Sequence, residues 1–291
     1  MRFLNFKENG PNGLAGLAVA DGTQFKGLLA NDANYPGSLH ELLRKGPDAM
    51  NAAAIALSKG ADVDVANIIY LPPIENPSHI WCIGLNYIDH SLESGFAIPT
   101  YPAIFSRFSS SMIGHGAPII RPKVSTQLDY EGELVAVIGK AGRYISKDKA
   151  LEHVAGYSIC NDASIRDYQF KSAQWTMGKN FDDTGPFGPI FVTSDELPSG
   201  ATGLRIQTRL NGVTVQDANT SSLIFDVATL VSQLSEAVCL LPGDIIVTGT
   251  PSGVGLARKP PLWMKHGDVC EIEIEGIGIL RNPVVDGLEG I

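Results

Sequence analysis

Apolar positions along the chain come in short runs that Gly, Pro and Asn keep interrupting. Such runs, bounded by turn formers, predict strands more than long helices. Near the N-terminus they fall at Phe3–Phe6, Leu14–Val19, Phe25–Leu29 and Asn67–Leu71. Two helices are predicted between them. Ser38–Leu43 is short. Pro47–Lys59 is clearer, with Pro at its start, an Ala-rich body and Lys59-Gly60 as its stop. The stretch Leu71-Pro72-Pro73-Ile74-Glu75-Asn76-Pro77 then breaks the pattern, since clustered prolines continue neither a helix nor a central strand. The predicted division is a small α/β unit over residues 1–71, a linker at 72–77 and a main domain over 78–291.

The main domain reads as mostly β, so the expected fold class is α+β, mainly β. Leu134–Ile138 is an unbroken apolar run, as a strand buried on both faces requires. Leu204–Leu210 and Val213–Val215 flank Asn211-Gly212, a hairpin signal of the type I′ kind. Ala155–Cys160 and Ile245–Thr248 are further strands. Val269–Glu275 alternates, with Cys270, Ile272 and Ile274 on one face and three glutamates on the other, read as a solvated acidic surface. Helices are predicted at Asp89–Glu93, Lys147–Val154, Arg166–Ser172 and Asp226–Val238.

Composition narrows the class. The 291 residues are 44% hydrophobic and 18% charged, which excludes a disordered chain. Their 31 Gly and 18 Pro fit many turns. The formal net charge of −9, without any run of Lys or Arg, argues against a nucleic-acid partner. No apolar stretch is long enough to span a bilayer, so no membrane association is expected. Cys82, Cys160, Cys239 and Cys270 lack metal or redox spacing and sit among apolar neighbours; buried free thiols in the cytoplasm are expected.

Candidate chemistry concentrates at Asp129-Tyr130-Glu131-Gly132-Glu133, which runs straight into the Leu134 strand. Strand periodicity places Asp129, Glu131 and Glu133 on one face. Like charges there repel unless a cation lies among them, and oxygen ligands favour Mg²⁺, Mn²⁺ or Ca²⁺ over Zn²⁺. By itself the motif is weak, and a solvated strand end is the bland alternative. Asp162 follows another strand-like run, where it is either a further ligand or a helix cap.

Taken together, these residues carry a resemblance. Glu131-Gly132-Glu133, Asp162 with Arg166-Asp167 and Gln169, Lys179, and Gly249-Thr250-Pro251-Ser252-Gly253-Val254-Gly255 occur in the order found in the fumarylacetoacetate hydrolase superfamily. Over about residues 78–285 the chain resembles that family, most of all its bacterial acylpyruvate and diketo-acid hydrolase branch. The resemblance implies a mixed β-sandwich roll and a homodimer. It implies Glu131, Glu133 and Asp162 as ligands of Mg²⁺, with Mn²⁺ as the other choice, and Lys179 as an active-site lysine. Arg166, Gln169 and Thr250 would line the substrate site. The segment Gly84-Leu85-Asn86-Tyr87-Ile88-Asp89-His90-Ser91-Leu92-Glu93 is similar to the family's lid, on which His90 and Glu93 would activate water; their spacing allows contact on one helix face.

Two departures stand out. Phe105-Ser106-Arg107 replaces an F-x-K pattern, and Arg107 is expected to bind a substrate carboxylate through its fork. The insert-like Arg258–Lys265 is expected to cover a loop rather than shape the pocket. The resulting expectation is a metal-dependent hydrolase that cleaves a C–C bond in an acylpyruvate or other 2,4-diketo acid. The alternative is an oxaloacetate decarboxylase or tautomerase, or a 2-oxo acid hydratase or isomerase, using the same metal enolate. Gly-x-Ser-x-Gly is absent, and the Gly249–Gly255 loop lacks the Gly-Lys ending of a phosphate loop, so it reads as a turn.

Overall fold

The structure is a computed structural model that describes residues 1–93, Gly95 and residues 97–287. Among these residues the strands form a twelve-stranded mixed sheet, a five-stranded sheet and a two-stranded ladder. The main path of the large sheet runs through Ala61–Asp62, Gln24–Leu29, Ala15–Asp21, Arg2–Glu8, Gly185–Thr193, Val154–Asn161, Gly132–Ile138, Ile245–Val247, Ile80–Gly84 and Ala103–Ser106. The five-stranded sheet orders Val213–Asn219, Arg205–Leu210, Val269–Ile274, Gly278–Asp286 and Ile119–Arg121.

The strand Gly132–Ile138 shows why the two sheets pack as they do. Every residue of it is buried. Leu134, Ala136 and Ile138 join one apolar cluster with Ile206, Ile272 and Leu280 of the smaller sheet. Val135 and Val137 join a second cluster with Leu39, Leu42, Met50 and Leu57 of the two N-terminal helices. One face of the large sheet is thus covered by a sheet and the other by helices, as an uninterrupted apolar strand demands.

Those helices span Leu39–Lys45 and Pro47–Leu57. Ser38 and Glu41 form a reciprocal cap at the first, and Pro47 opens the second. The Pro-rich run at 72–77 separates residues 1–71 from the rest in sequence but not in packing. Phe3 pairs with Phe191 across two neighbouring strands, and Phe3, Leu17 and Ile74 share a core with Phe187 and Ile245. A seventy-residue unit closes little core of its own, which favours this merger.

Most predicted elements are found, with informative differences. The hairpin at Asn211-Gly212 has φ values of 52° and 79°, the left-handed pair that a type I′ turn needs. Lys147–His153 is 3₁₀ rather than α, and the helix predicted over Arg166–Ser172 is Arg166–Gln169. The glutamate face of Val269–Ile274 is not simply solvated. Arg209 bridges Glu271 and Glu273, and Arg281 reaches Glu271. Three cysteines are buried, but Cys239 is exposed after the helix Val227–Ala237, contrary to expectation. No helix among the described residues is long and apolar enough to cross a membrane.

Candidate active site

Glu131 and Glu133 flank the point where the chain enters the central strand. Gly132 pairs with Asn161 and Glu133 with Cys160 on the neighbouring strand. The Glu131 amide donates to Asn161 Oδ1 at 2.9 Å, and the Asp162 amide to the Glu131 carbonyl at 2.9 Å. Two adjoining strand ends therefore place Glu131, Glu133 and Asp162 together, with carboxylate oxygens within 4.8 Å of one another. All three are buried.

Three buried cations answer them. Lys179 Nζ lies 2.6 Å from Glu131 Oε2 and 2.5 Å from Asp162 Oδ2. Arg166 Nη2 lies 2.7 Å from Glu131 Oε1, and Arg107 Nη1 lies 2.6 Å from Asp162 Oδ1. Burial alone would raise the Glu131 pKa, but Lys179 and Arg166 override it and hold the carboxyl down at about 2. Burial works against the Lys179 ammonium, yet Asp162 and Glu131 outweigh it and keep the pKa raised. Glu133 differs. Among the described residues no cation pairs with it, and its acceptor contact is the Gly249 amide at 2.5 Å. Burial, then the charges of Asp162 and Glu131, push its pKa well up.

A divalent cation fits this donor set. The ligand atoms are all hard oxygens, they converge, and one carboxyl lacks a cationic partner. Glu131, Glu133 and Asp162 could together hold such an ion.

The cavity above the three acids has a volume of about 260 Å³ and is also lined by His90, Arg166, Gln169, Lys179 and Thr250. His90 sits on the helix Ile88–Glu93, and its Nδ1 lies 2.9 Å from Glu93 Oε1. Glu93 is held in turn by the Gly253 amide, 3.0 and 2.9 Å from its two oxygens. Gly253 has φ 102°, and a Cβ there would stand 2.2 Å from the Val215 carbonyl, so the amide reaches Glu93 through a turn that needs glycine. Thr250 Oγ1 donates to the Gly132 carbonyl at 3.0 Å, which ties the same loop to the acid-bearing strand. Arg166 Nη1 donates to Gln169 Oε1 at 2.9 Å. Its Nη2 is at ion-pair distance from Asp129 and Glu131 but has hydrogen-bond geometry to neither.

Three placements differ from the expectations. Arg107 does not line the cavity. Its guanidinium pairs with Asp162, where it also donates to Ser111, Thr184 and the Ala163 carbonyl, so it braces Asp162 away from the cavity surface. Asp129 does not share a face with Glu131 and Glu133. It belongs to the ladder Leu128–Asp129 with Ser164–Ile165, and the strand period restarts at Gly132 as the chain changes sheets. Its carboxylate takes Arg166 Nε at 2.8 Å and the amides of Gly255 and Leu256. Asp162 caps no helix, because Ile165 precedes Arg166–Gln169 without a side-chain cap. None of residues 258–265 lines the cavity, as expected of a loop cover.

Sequence reasoning also missed the apolar lining. Ile83, Leu85, Phe105, Phe170, Trp175, Val254 and Leu256 form it, with Gly84 beside them. Leu85, Phe105 and Val254 stand inside recognised motifs, but no motif marks Ile83, Phe170, Trp175 or Leu256, which come from separate segments.

The fold is two-layered and β-rich, with a buried carboxylate triad that could hold a metal ion, a lysine among the acids and a His–Glu pair above them. The chain belongs to the fumarylacetoacetate hydrolase family: the family model described as fumarylacetoacetate (FAA) hydrolase C-terminal matches residues 79–285. It is 42% identical over 289 residues to the Xenopus laevis protein named oxaloacetate tautomerase fahd2, mitochondrial, covering 98% of this chain and 90% of that one. The structure of a fumarylacetoacetate hydrolase from Exiguobacterium antarcticum superposes with a TM-score of 0.86 at 35% identity, over 99% of this chain and 100% of that one. A maleylpyruvate hydrolase from Sphingobium sp. SYK-6, solved with manganese(II) and pyruvate, gives 0.80 at 27% identity, over 99% of this chain and 100% of that one.

Proposed function

We propose that this protein is a Mg²⁺- or Mn²⁺-dependent enzyme that interconverts the keto and enol forms of oxaloacetate. The observation that carries this reading is the near full-length likeness to the Xenopus oxaloacetate tautomerase. That likeness favours tautomerisation over C–C hydrolysis, the reading favoured from the sequence. The cavity, about 260 Å³, is below the roughly 300 Å³ at which drug-sized sites begin, and suits a four-carbon acid.

Glu131, Glu133 and Asp162 would hold the metal, which when bound supplies a Lewis acid for the oxygens of a 2-oxo acid. The chain's own residues do the rest. Glu93 occupies His90 Nδ1, which leaves Nε2 to take the proton from C3 of the keto acid or return it to the enol. Lys179 keeps its charge and stabilises negative charge developing at the carbonyl oxygen. Arg166, which lines the cavity, would add positive charge on the side of the second carboxylate. The step is an isomerisation: one proton leaves carbon, one arrives at oxygen, and no water is consumed. A homodimer is part of the proposal, checked by light scattering. A cytoplasmic setting is also proposed, although the Xenopus relative is named mitochondrial.

The test follows loss of enol absorbance of oxaloacetate with Mg²⁺, beside pyruvate release from an acylpyruvate. Faster enol loss than in protein-free buffer, abolished by EDTA, is expected; no acceleration overturns the reading. Acylpyruvate cleavage is the second reading, supported by the apolar half of the cavity and the likeness to maleylpyruvate hydrolase.

A further inference from the structure

The cavity has two unlike halves. Its floor is the charged cluster around Lys179. Four of the cavity's apolar lining residues, Ile83, Phe105, Phe170 and Trp175, carry no ionisable group. From the lysine the contacts can be followed ring by ring. Lys179 Nζ lies 5.0 Å from the Phe105 ring centroid, and the Phe105 ring meets Trp175 edge-on at 5.5 Å. Trp175 immediately precedes the short helix Thr176–Lys179, so one segment supplies both the floor lysine and the indole.

Gly84 explains how the indole reaches that place. It ends the strand Ile80–Gly84, and both Gly84 and Trp175 line the cavity. A Cβ on Gly84 would meet Trp175 Cζ3 at 2.2 Å and Cη2 at 2.8 Å. The indole therefore rests against bare main chain and fills a slot that any side chain at Gly84 would close.

We propose that Trp175, seated on Gly84, determines the length of the substrate tail that the cavity accepts. The inference rests on reading the cavity as a 2-oxo acid site. The carboxylate and carbonyl common to all such acids belong at the charged floor. An apolar tail, where the acid has one, runs along Ile83 and Phe105 and ends at the indole. A four-carbon acid stops short of it; a longer apolar tail collides with it. Removing the indole extends an apolar channel into which such a tail can be buried.

The test is calorimetric binding of straight-chain 2-oxo monocarboxylic acids of increasing length to the Mg²⁺-loaded protein. In the unmodified protein each added methylene tightens binding about fourfold, until the tail reaches the indole and affinity falls. Trp175→Ala moves that break to longer acids. Trp175→Phe, which retains an aromatic ring, moves it less and guards against a folding defect in the larger truncation. A break at the same length in all three proteins overturns the proposal. Oxaloacetate tautomerisation is measured on the same preparations. A shifted break without enol–keto turnover in the unmodified protein overturns the proposed function alone. An unshifted break with turnover intact overturns the role of Trp175 alone.

Discussion

At the scale of single residues, charge and burial decide what each group near the acids does. His90 and Glu93 are joined at 2.9 Å, and His90 faces the cavity. His90→Ala is expected to lower oxaloacetate tautomerisation by about a hundredfold or more, the usual effect of losing a general base. Steady-state kinetics checks it, and a variant with unchanged kcat removes His90 from proton transfer. Arg107 leads to the opposite kind of expectation. Its partner is the Asp162 carboxylate, with both side chains essentially inaccessible. Arg107→Met leaves a buried charge without that partner, so a stability loss of about 3–5 kcal/mol is expected in urea unfolding. Had Arg107 gripped substrate, KM would rise with stability unchanged. The thiols separate in the same way. Burial pushes Cys82 and Cys160 well up and Cys270 to about 12, while Cys239 is exposed. A thiol reagent on the native protein should label Cys239 rapidly and the other three only after unfolding; peptide mapping reads the outcome.

Elements were legible where period and caps act locally. The helix Val227–Ala237 begins after Asp226, whose carboxylate accepts from the Thr229 amide at 2.7 Å. Asp226→Ala is expected to cost about 1 kcal/mol. The pH dependence has a defined sign. Burial raises the Asp226 pKa, but the hydrogen bonds from Thr229 and the ion pair with Lys147 outweigh it, so the folded value lies below the ordinary 3.8. The cap's contribution is therefore complete above about pH 3.8 and disappears as pH falls through the folded value. Thermal melts of the two proteins should differ at neutral pH and converge in acid. The stretch from Asp129 to Glu133 was harder to read. Alternation is a sound rule inside one strand, but here the chain leaves one ladder and enters another between Asp129 and Gly132. A change of ladder resets which face a side chain occupies, and nothing in the residue types announces it.

On the scale of the whole molecule, strands of the large sheet and the short helices and loops beside them converge on one acid-lined cavity, and a metal ion held there would couple that cavity to stability. Ligand that binds the folded state raises its stability by mass action. Mg²⁺ should therefore raise the melting temperature of the unmodified protein and leave that of Glu131→Gln nearly unchanged, with turnover abolished in that variant. Scanning calorimetry with and without the ion checks it, and equal shifts in both proteins would refute the ligand assignment.

The sequence by itself determined the mainly β class, the hairpin at Asn211-Gly212, the capped helices and, through motif order, the family and the acids Glu131, Glu133 and Asp162. Those features depend on neighbours a few positions apart or on residues whose order is diagnostic. Only the tertiary structure decided that residues 1–71 share a sheet and a core with the rest, that Arg107 braces Asp162, that Asp129 serves Arg166, and that Trp175 lies on Gly84. Each of these is a contact between segments brought together by strand order and packing. Their partners are selected by shape and charge after the sheets assemble, so no local pattern encodes them.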